Sequence, residues 1–263
     1  ADISSFSNDE CAVTQAPQTD GFGSQFQNII ATAVYANTMN ERFCLTPIVR
    51  MEHNYDSRPT FLREVNELIN FPTSSPRELL KASTYEYKKR WLDDFIKVSD
   101  ARDIRRQLAS VRKQFLSNQD DRPTGTGHVA VHVRRSNPHD NRNTTSDDHD
   151  VCRVMREILS QNNNIQFHIF SQGDRSEFQN YQNDSRIILR LNEPLNVTFT
   201  EMVVAKILVT ATSSLSYTAA LLSESEIWAP QPFWHSYPPF WNTYDVSHAP
   251  SHFETCLPQE SAS

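Results

Sequence analysis

One short segment of this 263-residue sequence constrains the fold more than any other. It runs from His128 to Asn137 and reads H-V-A-V-H-V-R-R-S-N. Valines at alternate positions up to Val133 are typical of a strand buried on at least one face. The strand ends in Arg134 and Arg135, and small polar residues then begin a loop.

In open α/β sheets, ligands bind at the carboxyl ends of the strands. Two guanidinium groups at such an end suit an anion held in a fixed orientation, because each planar fork can pair with two oxygens at once. The alternative interpretation is ordinary solvated charge at the end of a strand. The segment alone leaves both open.

Composition limits the class of protein. The chain is 38% hydrophobic and 22% charged, and its length suffices for two modest α/β domains or one large one. No apolar run approaches the roughly 20 residues that span a bilayer. The net charge of −7 argues against a general nucleic-acid binder, which is usually basic. We therefore expect a soluble globular protein with no membrane span and no nucleic-acid partner.

The cysteines are scattered and form no C-x-x-C pair, which argues against a thiol zinc site or a redox motif. This spacing favours buried free thiols. Three N-glycosylation sequons begin at Asn143, Asn183 and Asn196, but the sequence shows no signal peptide. We therefore expect a cytoplasmic protein. The cysteines are Cys11, Cys44, Cys152 and Cys256.

Hydrophobic periodicity predicts alternating strands and helices. In the first half it predicts strands near Cys11–Thr14 and at 43–49, and helices at 26–39, 59–70 and 76–116. The Lys88-Lys89-Arg90 run in the last helix is interpreted as a solvated face. In the second half it predicts a helix at 147–161, strands at 165–170, 186–191 and 207–210, and a short helix at 199–205. This order indicates a mostly parallel sheet.

A composition break at Pro123, Gly125 and Gly127 suggests a boundary between domains 1–122 and 123–263. The aromatic segment 230–241 near the end of the second domain is interpreted as a clamp over the core, and alternatively as a platform for sugar rings.

Two polar segments in the first half are candidate sites. The Gly-rich loop around Asp20, Gly21 and Gly23 leads from a strand into a helix, so its free backbone N–H groups can hold an anion. A tight turn that binds nothing is the alternative. The second segment, Glu52 to Tyr55, gathers a carboxylate, an imidazole, an amide and a phenol, which suits a sugar site. It fits a plain polar loop equally well.

Two further candidates lie in the second half. Ser171 and Gly173 follow a predicted strand and repeat the same pattern of strand end and glycine turn. The segment from Thr210 to Tyr217 places hydroxyl groups at the start of an Ala- and Leu-rich helix. Such hydroxyls usually cap the helix, and they can also hold a phosphate, because they point the same way as the free N–H groups.

These motifs together resemble the GT-B fucosyltransferase-like superfamily. H-V-R-R resembles its H-x-R-R-G-D segment, whose arginines hold the diphosphate of GDP-fucose, although Ser136-Asn137 stands here in place of Gly-Asp. D-G-F-G-S-Q resembles its G-x-G-x-x-Q opening, and the serines near Ser214 are similar to its S-S-F-S segment. The opening through Tyr55 is especially similar to chlorella-virus glycosyltransferases, a branch that includes a β-xylosyltransferase.

The resemblance implies a GT-B-like α/β fold with two Rossmann-like halves and a cleft between them. The first half would face the acceptor through Glu52, His53 and Tyr55. Arg134 would stabilise the leaving diphosphate. The resemblance places the base of this inverting transfer several residues beyond the arginines, at Asp140, Asp147 or Asp148, and the rival candidates in the first half are Asp20 and Glu52. The predicted donor-binding residues are Gly21, Gly23, Arg134, Arg135, Ser171, Gly173, Ser213, Ser214 and Ser216.

The same resemblance suggests the partners. It implies transfer of xylose from UDP-xylose to a hydroxyl of an oligosaccharide or glycoprotein acceptor, including one that bears fucose, in viral glycan synthesis in the host cytoplasm. The alternatives are a GDP-fucose-dependent fucosyltransferase and a non-catalytic glycan- or nucleotide-binding protein, which the Ser136-Asn137 departure favours. We expect no cofactor and no metal, because the acidic run at Asp147 begins a helix, where such residues act as caps.

Overall fold

The computed structural model describes residues 11–52, 58–72, 79, 82–85, 88–117, 127–135, 145–162, 164–182, 184–246 and 255–258. The chain divides into two compact units. Unit 1 comprises Ala1–Asp121 with His235–Pro239, and unit 2 comprises Arg122–Trp234 with Phe240–Ser263. The first division falls one residue before the predicted boundary. In the described part of the chain, no helix is both long enough and apolar enough to cross a membrane.

Unit 1 packs helices around a short parallel ladder. The strands are β1 (Val13–Gln15) and β2 (Ser83–Tyr85), which pair in parallel. Helix α1 (Phe22–Met39) is buried along most of its length and contacts two later helices, because its apolar residues cover more than one face. The other helices whose bounds the described residues give are α2 (Phe61–Ile69), α3 (Lys88–Val98) and α4 (Ala101–Leu116).

The structure corrects two predicted elements of unit 1. The predicted helix 76–116 is wrong, since β2 lies within that range and the helical part is divided at Ser99 and Asp100. The Asp100 side chain accepts a hydrogen bond from the backbone N of Asp103 and so begins α4 as a separate helix. The predicted strand 43–49 is wrong as well, because the described residues form no ladder there and an isolated bridge joins Phe43 to Val13.

A side chain replaces the missing strand partner in the 43–49 segment. The amide of Asn66 accepts a hydrogen bond from the backbone N of Ile48 at 2.8 Å and donates one to its carbonyl oxygen at 2.9 Å. Both backbone groups of Ile48 are thereby satisfied without a ladder.

Unit 2 confirms the predicted α/β class. The six strands of its sheet among the described residues are all parallel and follow the order β5-β4-β3-β6-β7-β8. The helices connecting them are α5 (Asp148–Gln161), α6 (Leu195–Val204) and α7 (Ser214–Leu222), with a 3₁₀ segment at Arg175–Tyr181. The strands are β3 (Val129–His132), β4 (Phe167–Ser171), β5 (Ile187–Leu191), β6 (Ile207–Val209), β7 (Glu226–Gln231) and β8 (Asn242–Asp245).

The strand order reverses at β3. From β3 the chain adds β4 and β5 on one side, and α6 then carries it back so that β6 pairs with the other side of β3. Such a reversal is a topological switch point, where the connections that leave neighbouring strands diverge and open a crevice. The carboxyl ends of β3 and β6 are therefore the expected place for a ligand in unit 2.

The prediction of free thiols is wrong. All four cysteines pair, as Cys11–Cys44 and Cys152–Cys256, across 33 and 104 residues of sequence. The first pair forms because the isolated bridge brings the 43–45 segment alongside β1. The second forms because Arg156 of α5 donates hydrogen bonds to the carbonyl oxygens of Thr255 and Cys256. Neither juxtaposition is visible in the spacing of the cysteines.

Candidate active site

Arg134 lies at the switch point of unit 2, two residues beyond the end of β3. Its Nη1 donates to the carbonyl oxygen of Thr212 at 3.2 Å, in the loop that follows β6. Its backbone is fixed by Ser146, whose hydroxyl accepts from Arg134 N at 2.9 Å and whose N donates to Arg134 O at 2.8 Å. The guanidinium is thus held between the ends of the two strands that flank the reversal.

A neutral histidine underlies this cation. His132 is buried in β3, and that burial, followed by the charge of Arg134, lowers its pKa to about 3. The imidazole is therefore uncharged at neutral pH. Arg134 contributes the positive charge at this strand end without a second cation beneath it.

The N-terminus of α7 follows the same loop. Ser213 caps the helix, because its hydroxyl accepts from Leu215 N at 3.3 Å, and the buried Ser216 hydroxyl accepts from Ala211 N at 3.1 Å. Among the described residues, the partly exposed Ser214 hydroxyl has no hydrogen-bond partner. The positive end of a helix thus lies in the loop that Arg134 binds, with one hydroxyl available.

Arg135 has a different environment from its neighbour. Its Nη2 donates to both carboxylate oxygens of Asp148, at 2.8 and 3.0 Å, and to Glu177 O at 3.3 Å. The guanidinium also lies 4.5 Å from the ring centroid of Phe178. Tyr181 donates its hydroxyl to Asp148 at 2.7 Å, and burial, followed by the Asp148 charge, raises the pKa of that phenol. These hydrogen bonds pair the Arg135 guanidinium with groups of unit 2. The predicted contact of Arg135 with the donor stays a prediction.

Ser171 and Gly173 likewise have internal roles. The Ser171 hydroxyl donates to Val133 O at 2.6 Å and joins β4 to the end of β3. Gly173 has φ of +130°, and a Cβ added there would lie 2.7 Å from Glu177 Oε1. Both positions shape the carboxyl edge, and their predicted contact with the donor stays a prediction.

In unit 1 the structure gathers polar groups around the loop before α1. The Ser24 hydroxyl donates to Asp20 Oδ2 at 2.6 Å. The Gln25 amide donates to Asp20 O at 2.6 Å and to Arg50 O at 2.9 Å. These bonds fix the backbone that carries Gly21 and Gly23, and Gly21, the first residue before the helix, supplies no side-chain cap.

Lys89 is a candidate site residue that sequence reasoning missed. Its side chain is buried, and its Nζ donates to the hydroxyl of Ser24. Burial lowers the pKa of Lys89, and the Asp20 carboxylate acts in the opposite direction. The interpretation of this lysine as part of a solvated face is wrong. Its spacing from Leu92 and Ile96 places all three on the buried face of α3, a signal present in the sequence.

The other predicted residues of the first half fall partly outside the described residues. Glu52 lies beside the loop, because its N donates to Thr19 O at 2.6 Å. Its carboxylate accepts from the Thr19 hydroxyl at 3.5 Å. His53, Tyr55 and Asp140 lie outside the described residues.

The predicted site residues thus form two groups. Unit 1 brings together Asp20, Gly21, Gly23 and Glu52. Unit 2 places the remaining predicted donor residues along the carboxyl edge of its sheet. Within the described ranges, no group of three or more His, Cys, Asp or Glu side chains is arranged to hold a metal ion.

Glycosyltransferases are among the solved structures similar to this chain. The E. coli heptosyltransferase WaaC with ADP is 10% identical, with a TM-score of 0.48 over 90% of this chain and 93% of that chain. The iron-containing dodecameric glycosyltransferase TibC from enterotoxigenic E. coli is 12% identical, with a TM-score of 0.44 over 91% and 63%. The α-1,6-fucosyltransferase NodZ with GDP is 10% identical, with a TM-score of 0.39 over 81% and 93%.

At these identities and scores the likeness concerns the course of the backbone and carries nothing about individual residues. No model of a known protein family matches the sequence, and no curated protein matches it.

Proposed function

We propose that the chain is a nucleotide-sugar glycosyltransferase whose unit 2 binds the donor diphosphate. One observation carries the proposal. Arg134 is fixed at the topological switch point, in contact with the loop that begins α7. A guanidinium provides positive charge with N–H donors in a fixed planar geometry, and the helix N-terminus beside it provides free backbone N–H donors. An anion with several oxygens can bind to both.

This arrangement suits the chemistry of glycosyl transfer. When the bond from the sugar to the nucleoside diphosphate breaks, negative charge builds up on the departing phosphate oxygens. Hydrogen-bond donors that are fixed before the reaction stabilise that charge without the cost of reorganising. In the proposed mechanism Arg134 contacts the departing diphosphate, and Ser214 with the first N–H groups of α7 holds its other oxygens.

Unit 1 supplies the proposed base. An inverting transfer requires a group that takes the proton of the acceptor hydroxyl as its oxygen attacks the sugar. Asp20 is the candidate that the hydrogen bonds favour, because Ser24 fixes one of its carboxylate oxygens and Lys89 fixes Ser24. Glu52, beside the same loop, and Asp140 remain alternatives.

UDP-xylose is the donor that we propose, on the similarity of the first-half motifs to the viral branch, with a glycan hydroxyl as acceptor. GDP-fucose is the alternative. We propose that neither transfer requires a metal, since Arg134 and the helix N-terminus supply positive charge.

The first test is ligand-dependent thermal stability. UDP or UDP-xylose is expected to stabilise the folded chain by about 2.7 kcal/mol at a hundredfold excess over its dissociation constant. The Arg134→Ala variant should show no such stabilisation, while an exposed control, Arg106→Ala, should retain it. Stabilisation by GDP and GDP-fucose instead would favour the fucosyl donor. If no nucleotide stabilises the chain, the donor-site assignment is wrong.

Asp20→Asn is expected to lower kcat about a hundredfold, because the amide accepts the Ser24 hydrogen bond but cannot take a proton at neutral pH. Donor affinity should be unchanged. Two quantities are measured for this variant: turnover at saturating donor and acceptor, and the dissociation constant of the nucleotide. The matched control is Asp94→Asn on α3, at an exposed carboxylate. Undiminished turnover in Asp20→Asn would transfer the base assignment to Glu52 or Asp140.

A further inference from the structure

The two disulfides indicate the kind of compartment in which the chain folds. Every cysteine in the sequence is paired, and all four are buried, with exposures of 1% to 4%. Protein disulfides persist in oxidising compartments and are rare where glutathione and thioredoxin keep thiols reduced. The pairing therefore opposes the cytoplasmic localisation expected from the sequence.

The same kind of compartment in eukaryotic cells also modifies Asn-X-Ser/Thr sequons. The sequon that the structure describes completely is Asn196-Val197-Thr198, in the first turn of α6. The Asn196 side chain is exposed, and no hydrogen bond from its amide to another described residue is present. An exposed amide without an internal role can carry a bulky substituent at little cost to the fold.

Asn196 follows the edge strand of the unit 2 sheet. Three residues separate helix α6 from β5, which is the edge strand of the sheet, two strands away from β3. Neighbouring strands lie about 4.8 Å apart, so the start of α6 is separated from the end of β3 by roughly 10 Å across the sheet. The start of α6 follows the carboxyl end of β5, which lies at the same edge of the parallel sheet as Arg134 but two strands away.

We propose that the chain folds in an oxidising, glycosylating lumen and that Asn196 is an N-glycan attachment site. Each thiol pair loses two electrons and two protons to an oxidised dithiol carrier by thiol–disulfide exchange. The Asn196 amide nitrogen then bonds to C1 of an oligosaccharide carried on a polyprenyl diphosphate. The C1–O bond to the diphosphate breaks, the lipid diphosphate leaves, and the amide proton passes to a base of the transferring enzyme. Neither step depends on the proposed transferase activity.

The test uses the full chain directed into the endoplasmic reticulum of a eukaryotic host. Asn196→Gln and Thr198→Ala should each remove one glycan, seen as a lost step in the mobility shift on N-glycanase treatment. Thr198→Ser keeps the sequon and should keep the glycan. Because each result is a difference from the unsubstituted chain, glycans at the other two sequons do not affect it. Mass spectrometry of the peptide that contains Asn196 assigns the site directly.

Thiol counting tests the disulfides in the same preparation. The denatured chain should bind no maleimide before reduction and should bind maleimide at all four cysteines after it. An unmodified Asn196 in folded, secreted protein would overturn the glycan site. If all four thiols react before reduction, and the melting temperature is the same with and without reductant, the proposed oxidising compartment is wrong.

Discussion

Arg134→Ala is expected to reduce kcat about a thousandfold while the fold stays intact. The loss corresponds to removing one fixed donor from a site where negative charge develops, which typically costs 10²- to 10³-fold in kcat. Stability should fall by only about 1.5 kcal/mol, the lower end of the net contribution of a hydrogen bond from a charged group such as that from Arg134 to Thr212 O.

The measurement compares kcat, nucleotide affinity and urea denaturation for three proteins: the unsubstituted chain, Arg134→Ala and Arg134→Lys. The lysine variant keeps the charge but not the planar fork, so its turnover should lie between the other two. A fall in kcat that matches a loss of folded protein would assign Arg134 a structural role. Unchanged turnover in well-folded Arg134→Ala would remove it from the site.

Arg135→Ala is expected to lower the free energy of unfolding by about 3 kcal/mol, a larger loss of stability than in Arg134→Ala. The Arg135 side chain is 10% exposed and its partner Asp148 is 24% exposed, so the pair is largely shielded from water. Removing one member of such a pair leaves a carboxylate without its counter-charge, which costs about 3–5 kcal/mol when the pair is buried. We take the lower end because Asp148 retains some access to water and the hydrogen bond from Tyr181.

The control for Arg135→Ala is Arg106→Ala on α4. Arg106 forms an ion pair with Asp103 at 2.8 Å, with side chains 67% and 43% exposed, and such surface pairs contribute about 0–1 kcal/mol. Urea denaturation of both variants should separate the two cases. Equal stability of Arg135→Ala and Arg106→Ala would show that the Asp148 network does not stabilise unit 2.

Much of unit 2 could be predicted from the sequence because its signals are local. Alternating valines predict β3, and the acidic start with an apolar face predicts α5, which the structure confirms. The later strands that pair with β3 were also predicted, to within about two residues at each end. Parallel pairing followed from the alternation of strands and helices.

Features that depend on distant parts of the chain could not be predicted in this way. Arg134 and Arg135 are identical and adjacent, and only the fold gives one the loop before α7 and the other Asp148. The disulfides and the role of Asn66 depend in the same way on segments brought together by folding. Lys89 is a different case. Its helical spacing from Leu92 and Ile96 predicts a buried position, whereas the charge of the Lys88-Lys89-Arg90 run favours a solvated face.

The position of Thr212 in the sequence has a consequence for the order in which unit 2 can form. Arg134 leaves the ribosome 78 residues before the carbonyl oxygen that binds it. At about 5–20 residues per second, synthesis of that interval takes roughly 4 to 16 s. β6, the second neighbour of β3, is likewise made only after β4 and β5. During that time a nascent chain has one open side of its central strand, and the strand end that carries Arg134 gains its second neighbour only after β4 and β5 have been made.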